Sequence, residues 1–279
     1  MKIGIFSATT DDAAPPHQLA AAIEERGFES FWVPEHTHIP ASRETPFPGG
    51  GELPREYSRL YDPFVALSAA AAVTRSLKLG TSICLVVEHD PIVLAKQVAS
   101  LDLLSQGRVI LGVGGGWNRE EMRDHGTDPG RRWSVLRERV EAMKEIWTRD
   151  EASYTGEFVH FDRVWSWPKP VQKPHPPVLL GSSTSAGLRR VVRYCDGWLP
   201  IGSPRLAAQW DELRQLALAA GRDPASIPVS VFWARPRQDE LARYRDLGAE
   251  RAILSVAGSS LEEALPRLDL YAELREKLG

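Results

Sequence analysis

Residues 77–113 read LKLGTSICLVVEHDPIVLAKQVASLDLLSQGRVILGV. An apolar run, Leu77–Val87, leads to Asp90-Pro91, a side chain suited to capping a helix followed by a residue suited to its first turn. Pro91–Ser105 then carries a helical pattern, and Val109–Val113 is a second apolar run. Neither run alternates cleanly between polar and apolar. That is the pattern of strands covered on both faces, as in a parallel sheet. The stretch is one strand–helix–strand unit.

The unit repeats in both directions. Further strand candidates are Ile3–Phe6, Ser30–Val33, Val178–Gly181, Gly197–Ile201, Pro228–Ala234 and Ala252–Val256. Helical patterns occupy Gln18–Arg26, Pro63–Val73, Arg131–Trp147, Ser185–Tyr194, Pro204–Ala220, Gln238–Leu247 and Ser260–Leu278. Gly27 stands where a helix ends, and Asp62-Pro63 repeats the capping device of Asp90-Pro91. Eight strand–helix units in 279 residues predict a single (β/α)8 TIM barrel, one domain over residues 1–279. A doubly wound open sheet is the competing architecture. Two insertions, about 37–60 and 152–177, interrupt the alternation. Thr37–Leu60 is long and rich in Pro and Gly, and reads as a functional lid. Ala152–Val164 reads as a hairpin turning at Thr155-Gly156, and Trp167–Pro177 as an extended, proline-rich approach to the fifth strand.

Thirty-four basic residues against 37 acidic give a net charge of -3, and 43% of residues are hydrophobic. This composition excludes disordered and fibrous classes and gives no basic surface for nucleic acid or an anionic membrane. No run approaches the ~18 apolar residues of a membrane span. The opening MKIGIFSATTDD turns acidic at once, unlike a signal peptide. Cys84 and Cys195 sit in apolar contexts, so a cytoplasmic protein is expected.

Barrel active sites lie at the C-terminal ends of the strands. After strand one come Ser7-Ala8-Thr9-Thr10, small and hydroxylic, suited to close approach of a flat ligand. After strand two come Glu35-His36-Thr37-His38, with His36 a candidate acid or base and Glu35 a candidate strand cap. His36 and His38 also suggest a metal-dependent hydrolase, but no histidines stand at the ends of strands five to eight to complete the ligand set. Strand three carries Gly80-Thr81-Ser82-Ile83, where two hydroxyls can meet a heterocycle or simply be buried. Strand four runs into Gly112-Val113-Gly114-Gly115-Gly116-Trp117, and Trp117 breaks the dinucleotide fingerprint at its third glycine. Strand five ends in Gly181-Ser182-Ser183-Thr184 directly before a helix, which makes an anion site or an ordinary helix cap. Arg189 and Arg190 lie one turn on, where they can face solvent. No nucleophile triad and no pair of facing catalytic carboxylates is evident. A hydroxyl-rich, glycine-lined pocket with one histidine and an anion cradle suits a large cofactor that carries the chemistry itself.

In this order and spacing the chain resembles the luciferase-like monooxygenase superfamily, the flavin- and coenzyme F420-dependent TIM-barrel oxidoreductases. The resemblance rests on Phe31-Trp32-Val33-Pro34-Glu35-His36, Leu79-Gly80-Thr81-Ser82, Pro91-Ile92-Val93-Leu94-Ala95-Lys96-Gln97, Leu101–Arg108, Leu111–Trp117 and Tyr194-Cys195-Asp196-Gly197-Trp198. It covers nearly the whole chain, and the glycine-rich stretch is most similar to the F420-dependent branch. It implies that His36 lies beside the reactive ring, that a cis peptide at Ser82–Ile83 backs that ring, and that Gly114, Gly115 and Gly116 follow the cofactor tail. Gly181, Ser182 and Ser183 would hold its phosphate. Sugar-phosphate dehydrogenases of the superfamily carry acidic residues where this chain has Trp117 and Ala8-Thr9-Thr10. The pocket is therefore expected to be apolar, with Trp117 as a wall. The expected activity is F420-dependent hydride transfer with a small apolar substrate, by a homodimer. The alternatives are an FMN-dependent monooxygenase, the metal-dependent hydrolase, and a barrel that binds cofactor without catalysis.

Overall fold

Strand pairing closes the predicted barrel. The computed structural model describes residues 1–278; Gly279, the last residue of the expected domain, lies outside the described residues. The strands are β1 (Lys2–Phe6), β2 (Ser30–Val33), β3 (Lys78–Thr81), β4 (Val109–Val113), β5 (Ala152–Thr155), β6 (His160–Val164), β7 (Val178–Leu180), β8 (Gly197–Trp198), β9 (Ser230–Val231) and β10 (Arg251–Ser255). Eight of them form one sheet in the order β8-β7-β4-β3-β2-β1-β10-β9, with parallel neighbours. The parallel bridges Trp198–Val229 and Ile201–Phe232 join its two edges. β5 and β6 form the predicted antiparallel hairpin.

The helices are α1 (Pro16–Glu25), α2 (Pro63–Val73), α3 (Pro91–Leu104), α4 (Arg119–Asp124), α5 (Arg132–Thr148), α6 (Ser185–Tyr194), α7 (Leu206–Ala219), α8 (Gln238–Leu247) and α9 (Leu261–Glu276). The predicted starts of α2 and α3 are borne out. Asp62 accepts from Val65 N, and Asp90 accepts from Ile92 N and Val93 N. Both satisfy backbone donors that a helix start leaves free. Among the described residues no helix is long and apolar enough to cross a membrane. Both cysteines are free and buried.

Two readings need correction. The Leu77–Val87 run is apolar throughout, but the strand stops at Thr81 and Val86–Glu88 is a 3-10 turn. Past Thr81 a single parallel bridge, Cys84–Val113, continues the pairing, and burial keeps the rest of the run hydrophobic. The other is α4, a helix the apolar periodicity did not announce because it is short and charged.

Trp32 explains how the barrel interior is filled. It is fully buried among Phe6, Ile110, Leu179, Leu199 and Ile253. A Cβ on Gly80 would lie 2.3 Å from the Trp32 ring, and one on Gly4 would lie 2.9 Å from its indole nitrogen. Glycines on the strands either side thus make room for one indole. The remaining apolar residues pack between the barrel and its helices. This scaffold fixes the strand ends from which the site is built.

Candidate functional site

His36 leaves β2 at the C-terminal face, with only 7% of its side chain exposed. Its Nδ1 lies 2.7 Å from Glu121 Oε2, and the Trp117 indole N–H reaches its Nε2 at 3.2 Å. An indole N–H can only donate, so Nε2 accepts and Nδ1 carries the proton toward Glu121. Nε2 is then the basic atom. Glu121 also accepts from Thr37 N at 3.1 Å, so one carboxylate holds both the ring and the backbone after it.

Glu35 serves elsewhere. It accepts from Leu85 N at 2.5 Å and pairs with His89 at 2.7 Å. This is the strand-capping role, with His89 in place of His36. Burial works against the His89 charge, but the Glu35 hydrogen bond and charge outweigh it and raise the imidazole above its ordinary value. Cys84 lies with them, ligand atoms within 4.8 Å of one another. The set is closed by its own hydrogen bonds. The histidines of the hydrolase reading do not converge. His38 bonds Thr37 Oγ1 through Nδ1 and Asp124 through Nε2, while both His36 nitrogens are engaged as above.

The peptide bond between Ser82 and Ile83 is cis. The Ser82 hydroxyl is buried with no partner, as is that of Thr9 after β1. Ile83 sits between two of the expected glycines. A Cβ on Gly114 would fall 2.0 Å from Ile83 Cδ1, and one on Gly181 would fall 3.0 Å from its Cγ2. Gly115 faces the Trp133 ring, 3.1 Å from where its Cβ would stand. The guanidinium carbons of Arg190 and Arg132 lie 4.4 and 5.6 Å from that ring, so Arg190 turns to the cradle side and not simply to solvent. Gly116 has φ +67 and turns toward Met122, Leu85 and Glu88. At the β7 end, Ser182 Oγ packs over Gly187 in the first turn of α6, and the Ser183 carbonyl accepts from Gln209. Thr184 is the helix cap, accepting from Gly187 N at 3.0 Å. The Trp198 indole holds the Ser182 carbonyl at 2.7 Å.

Segment 37–60 covers His36. Tyr57 packs 5.3 Å from the imidazole, and Phe47 lies 5.2 Å from Tyr57 and 6.0 Å from Trp117. Glu120 pins the segment by accepting from Thr45 N at 2.7 Å and from its hydroxyl. Burial, with the nearby Glu56 charge, pushes the Tyr57 phenol up, so it stays a neutral donor. Arg43 lies over Trp117, and its buried Nη1 has no partner.

Glu88, Glu120 and Glu121 were not among the sequence candidates. Asn118 accepts from Glu121 N as the cap of α4, so the Asn-x-x-Glu spacing was the available signal. Nothing in the sequence marks Glu88. Its side chain is 1% exposed, and neither oxygen receives a hydrogen bond. Burial, then the charges of Glu121 and Glu35, pushes it up to about 9. Two carboxyl groups are thus brought together, Glu88 from the 3-10 turn after β3 and Glu121 from α4. A cavity of about 830 Å³ lies at the opposite, N-terminal face. Its charges pair among themselves, Lys2 with Glu250 and Arg251 with Glu29, both at 2.7 Å. It offers scaffold contacts and no acid–base group near His36.

Comparison with known proteins gives a consistent family. The luciferase-like monooxygenase family profile matches residues 1–275. An uncharacterised protein of Mycobacterium tuberculosis (strain ATCC 25618 / H37Rv) is 45% identical over 282 residues, covering 98% of each chain. An FMNH2-dependent dimethylsulfone monooxygenase of Pseudomonas putida is 33% identical over 180 residues, covering 63% of this chain and 49% of its own. An F420-dependent secondary alcohol dehydrogenase, solved with an F420–acetone adduct, shares the fold with a TM-score of 0.78 at 17% identity, covering 100% of this chain and 99% of its own.

Proposed function

The chain belongs to the luciferase-like monooxygenase family, whose members are flavin- or F420-dependent oxidoreductases and monooxygenases, and from that premise we propose that it is an F420-dependent oxidoreductase acting on a largely apolar substrate. The observation that carries this reading is the set of buried polar atoms without partners on the C-terminal face: Thr9 Oγ1, Ser82 Oγ and Arg132 Nε. Orphaned buried polar atoms cost stability unless a ligand satisfies them. Two hydroxyls suit a heterocycle with polar edges. The arginines beside Trp133 and Gly115 suit an anionic tail. F420 carries a chain of glutamates beyond its phosphate, whereas FMN ends there, and Arg132 with Arg190 favours the longer anion.

The bound ring would supply hydride transfer. The protein's part is to orient and to move a proton. Ile83 would back the ring, with Gly114 and Gly181 giving its side chain room. Gly115, Gly116, Ser182 and Ser183 would follow the tail and its phosphate. His36 Nε2 would exchange a proton with the substrate, held in its tautomer by Glu121. Phe47, Tyr57 and Trp117 would exclude water around an apolar substrate body, and Arg43 Nη1 would meet one acceptor on it. FMN is the second reading, favoured by the Pseudomonas relative.

The test is titration of the purified protein with F420, with its tail-less deazaflavin and with FMN, followed by fluorescence. Expected is tightest binding of F420 and a loss on removing the tail. No binding of any of the three at tens of micromolar would end the redox reading. A homodimer is proposed through α2 and α3. Val65 is 67%, Val93 56% and Leu104 76% exposed on helices that are apolar nearly all round.

A further inference from the structure

We propose that Glu88 is a proton-relay residue, passing protons between Glu121, the partner of His36, and the solvent-reaching His125. The proposal deepens the acid–base role assigned to His36 and rests on that reading. Its starting point is geometric. His36 is covered by Tyr57, Phe47 and Trp117, so its pocket side is shielded from water. Its other nitrogen points away from the pocket to Glu121, whose side chain is fully buried.

Behind Glu121 the polar groups form a path outward. Glu88 lies beside Glu121; both its carboxyl oxygens are buried and receive no hydrogen bond, and in its protonated form it donates to Glu121. On its far side His125 Nε2 stands 4.0 Å from Glu88 Oε2, one water or a small side-chain movement from a hydrogen bond. His125 is 28% exposed. From it the links run to Thr37 Oγ1 at 2.7 Å, then His38 at 2.9 Å, then Asp124 at 3.0 Å. His38 and Asp124 reach solvent.

The groups around Glu88 suit the task. Glu35, Glu121, Cys84 and His125 face it, and Arg139 of α5 spends its Nη1 on Val86 O. Two neighbouring carboxylates and burial keep it protonated near neutral pH. A neutral acid between a carboxylate and an imidazole can accept on one oxygen as it releases from the other. Burial, then His38, lowers the His125 imidazole, so it is neutral and able to accept.

The step balances. The Trp117 indole N–H gives up Nε2 as the substrate approaches, a substrate O–H bond breaks and an Nε2–H bond forms on His36. The Nδ1–H bond breaks and an O–H bond forms on Glu121. That proton passes to one Glu88 oxygen while the other gives its proton to His125 Nε2, whose bond to Thr37 Oγ1 breaks as the ring turns toward Glu88. One proton leaves the pocket, no electron moves along the path, and the reverse sequence delivers one.

The test uses the full chain without cofactor, labelled uniformly with 15N. The readout is solvent exchange of the His36 Nδ1 proton by NMR. Glu88→Gln keeps shape and removes the titrating oxygen pair, and it should slow this exchange by about tenfold or more. Glu88→Asp should restore part of it. The Thr37 amide, bonded to the same Glu121, is the internal control and should exchange as in the wild type. If E88Q does not fold, His125→Gln should give the same slowing. Unchanged His36 exchange in the folded variant, or equal slowing at Thr37, would overturn the relay. The readout needs no cofactor, so failure of both cofactors to bind counts against the redox reading alone.

Discussion

Gly114→Ala should be destabilising, and Ile83→Val should relieve it. The added Cβ would stand 2.0 Å from Ile83 Cδ1 and 3.2 Å from its Cγ1. Carbon contacts settle near ~3.5–4.0 Å, so the overlap with Cδ1 is roughly 1.5–2 Å. Ile83 has little room to retreat, because its other branch rests on Gly181 and its β-branched χ1 is stiff. Overpacking of this kind costs about 1–3 kcal/mol, a fall in melting temperature of roughly 2–9 °C for a chain of this size. Ile83→Val removes the struck atom itself and alone costs about 0.5–1.5 kcal/mol. The double variant should therefore be close to I83V, with a favourable coupling of about 1 kcal/mol or more. Gly112→Ala is the contrast. Its Cβ would lie 2.1 Å from the backbone oxygen of Thr81, which a shorter residue 83 cannot move. Reversible urea unfolding followed by tryptophan fluorescence measures the wild type, the three single variants and the two double variants with I83V. If G114A and I83V add within about 0.5 kcal/mol, or if I83V rescues G112A equally, the packing argument is wrong.

Other outcomes follow from the site. His36→Ala should keep cofactor affinity and lower kcat by about 10²–10⁴, checked by fluorescence titration beside steady-state assays; unchanged turnover would remove His36 from the chemistry. Wild-type stability should fall as pH rises from about 5 to 9, at up to about 1.4 kcal/mol per pH unit from Glu88 alone, because the unfolded chain has released this proton while the native state still holds it. Glu88→Gln should lack that component and unfold at higher urea at pH 8, and a parallel pH dependence in both proteins would contradict a neutral Glu88. Val93→Asp with Leu104→Glu, both on the exposed face of α3, should convert the expected dimer to monomer in sedimentation velocity. A wild-type monomer at micromolar concentration would remove that expectation.

The barrel was legible because its signals are local. Asp62-Pro63 and Asp90-Pro91 announce helix starts that the backbone needs, and short apolar runs announce buried strands. Those runs overstate strand length where burial outlasts pairing, as after Thr81. In the candidate site, His36, Ser82 and the glycines were picked out through resemblance and position at strand ends. The partners of His36 were less so. Glu121 reads as a solvated charge on a short helix until the Asn118 cap turns it inward. Glu88 reads as the end of an apolar run, and only tertiary burial reveals a carboxyl with no counterion. Gly114 and Gly181 were assigned from the cofactor outward, yet their immediate neighbour is Ile83. A glycine motif in sequence does not say which atom needs the space.

Trp117 ties these features together. The family resemblance would lead one to expect an acidic residue at this point in a sugar-phosphate dehydrogenase. Here an indole takes its place and donates to His36 Nε2. The exchange makes the pocket apolar and removes a local group that could take the proton. With Phe47 and Tyr57 closing over the imidazole, water cannot readily serve instead. The carboxylate function has to come from the other nitrogen, and Glu121 at 2.7 Å from Nδ1 supplies it. A second buried carboxyl beside Glu121 would be a costly ornament if it only filled space, since two acids in one buried site cannot both ionise. As a neutral acid it would give the proposed apolar pocket a way to lose a proton without admitting water.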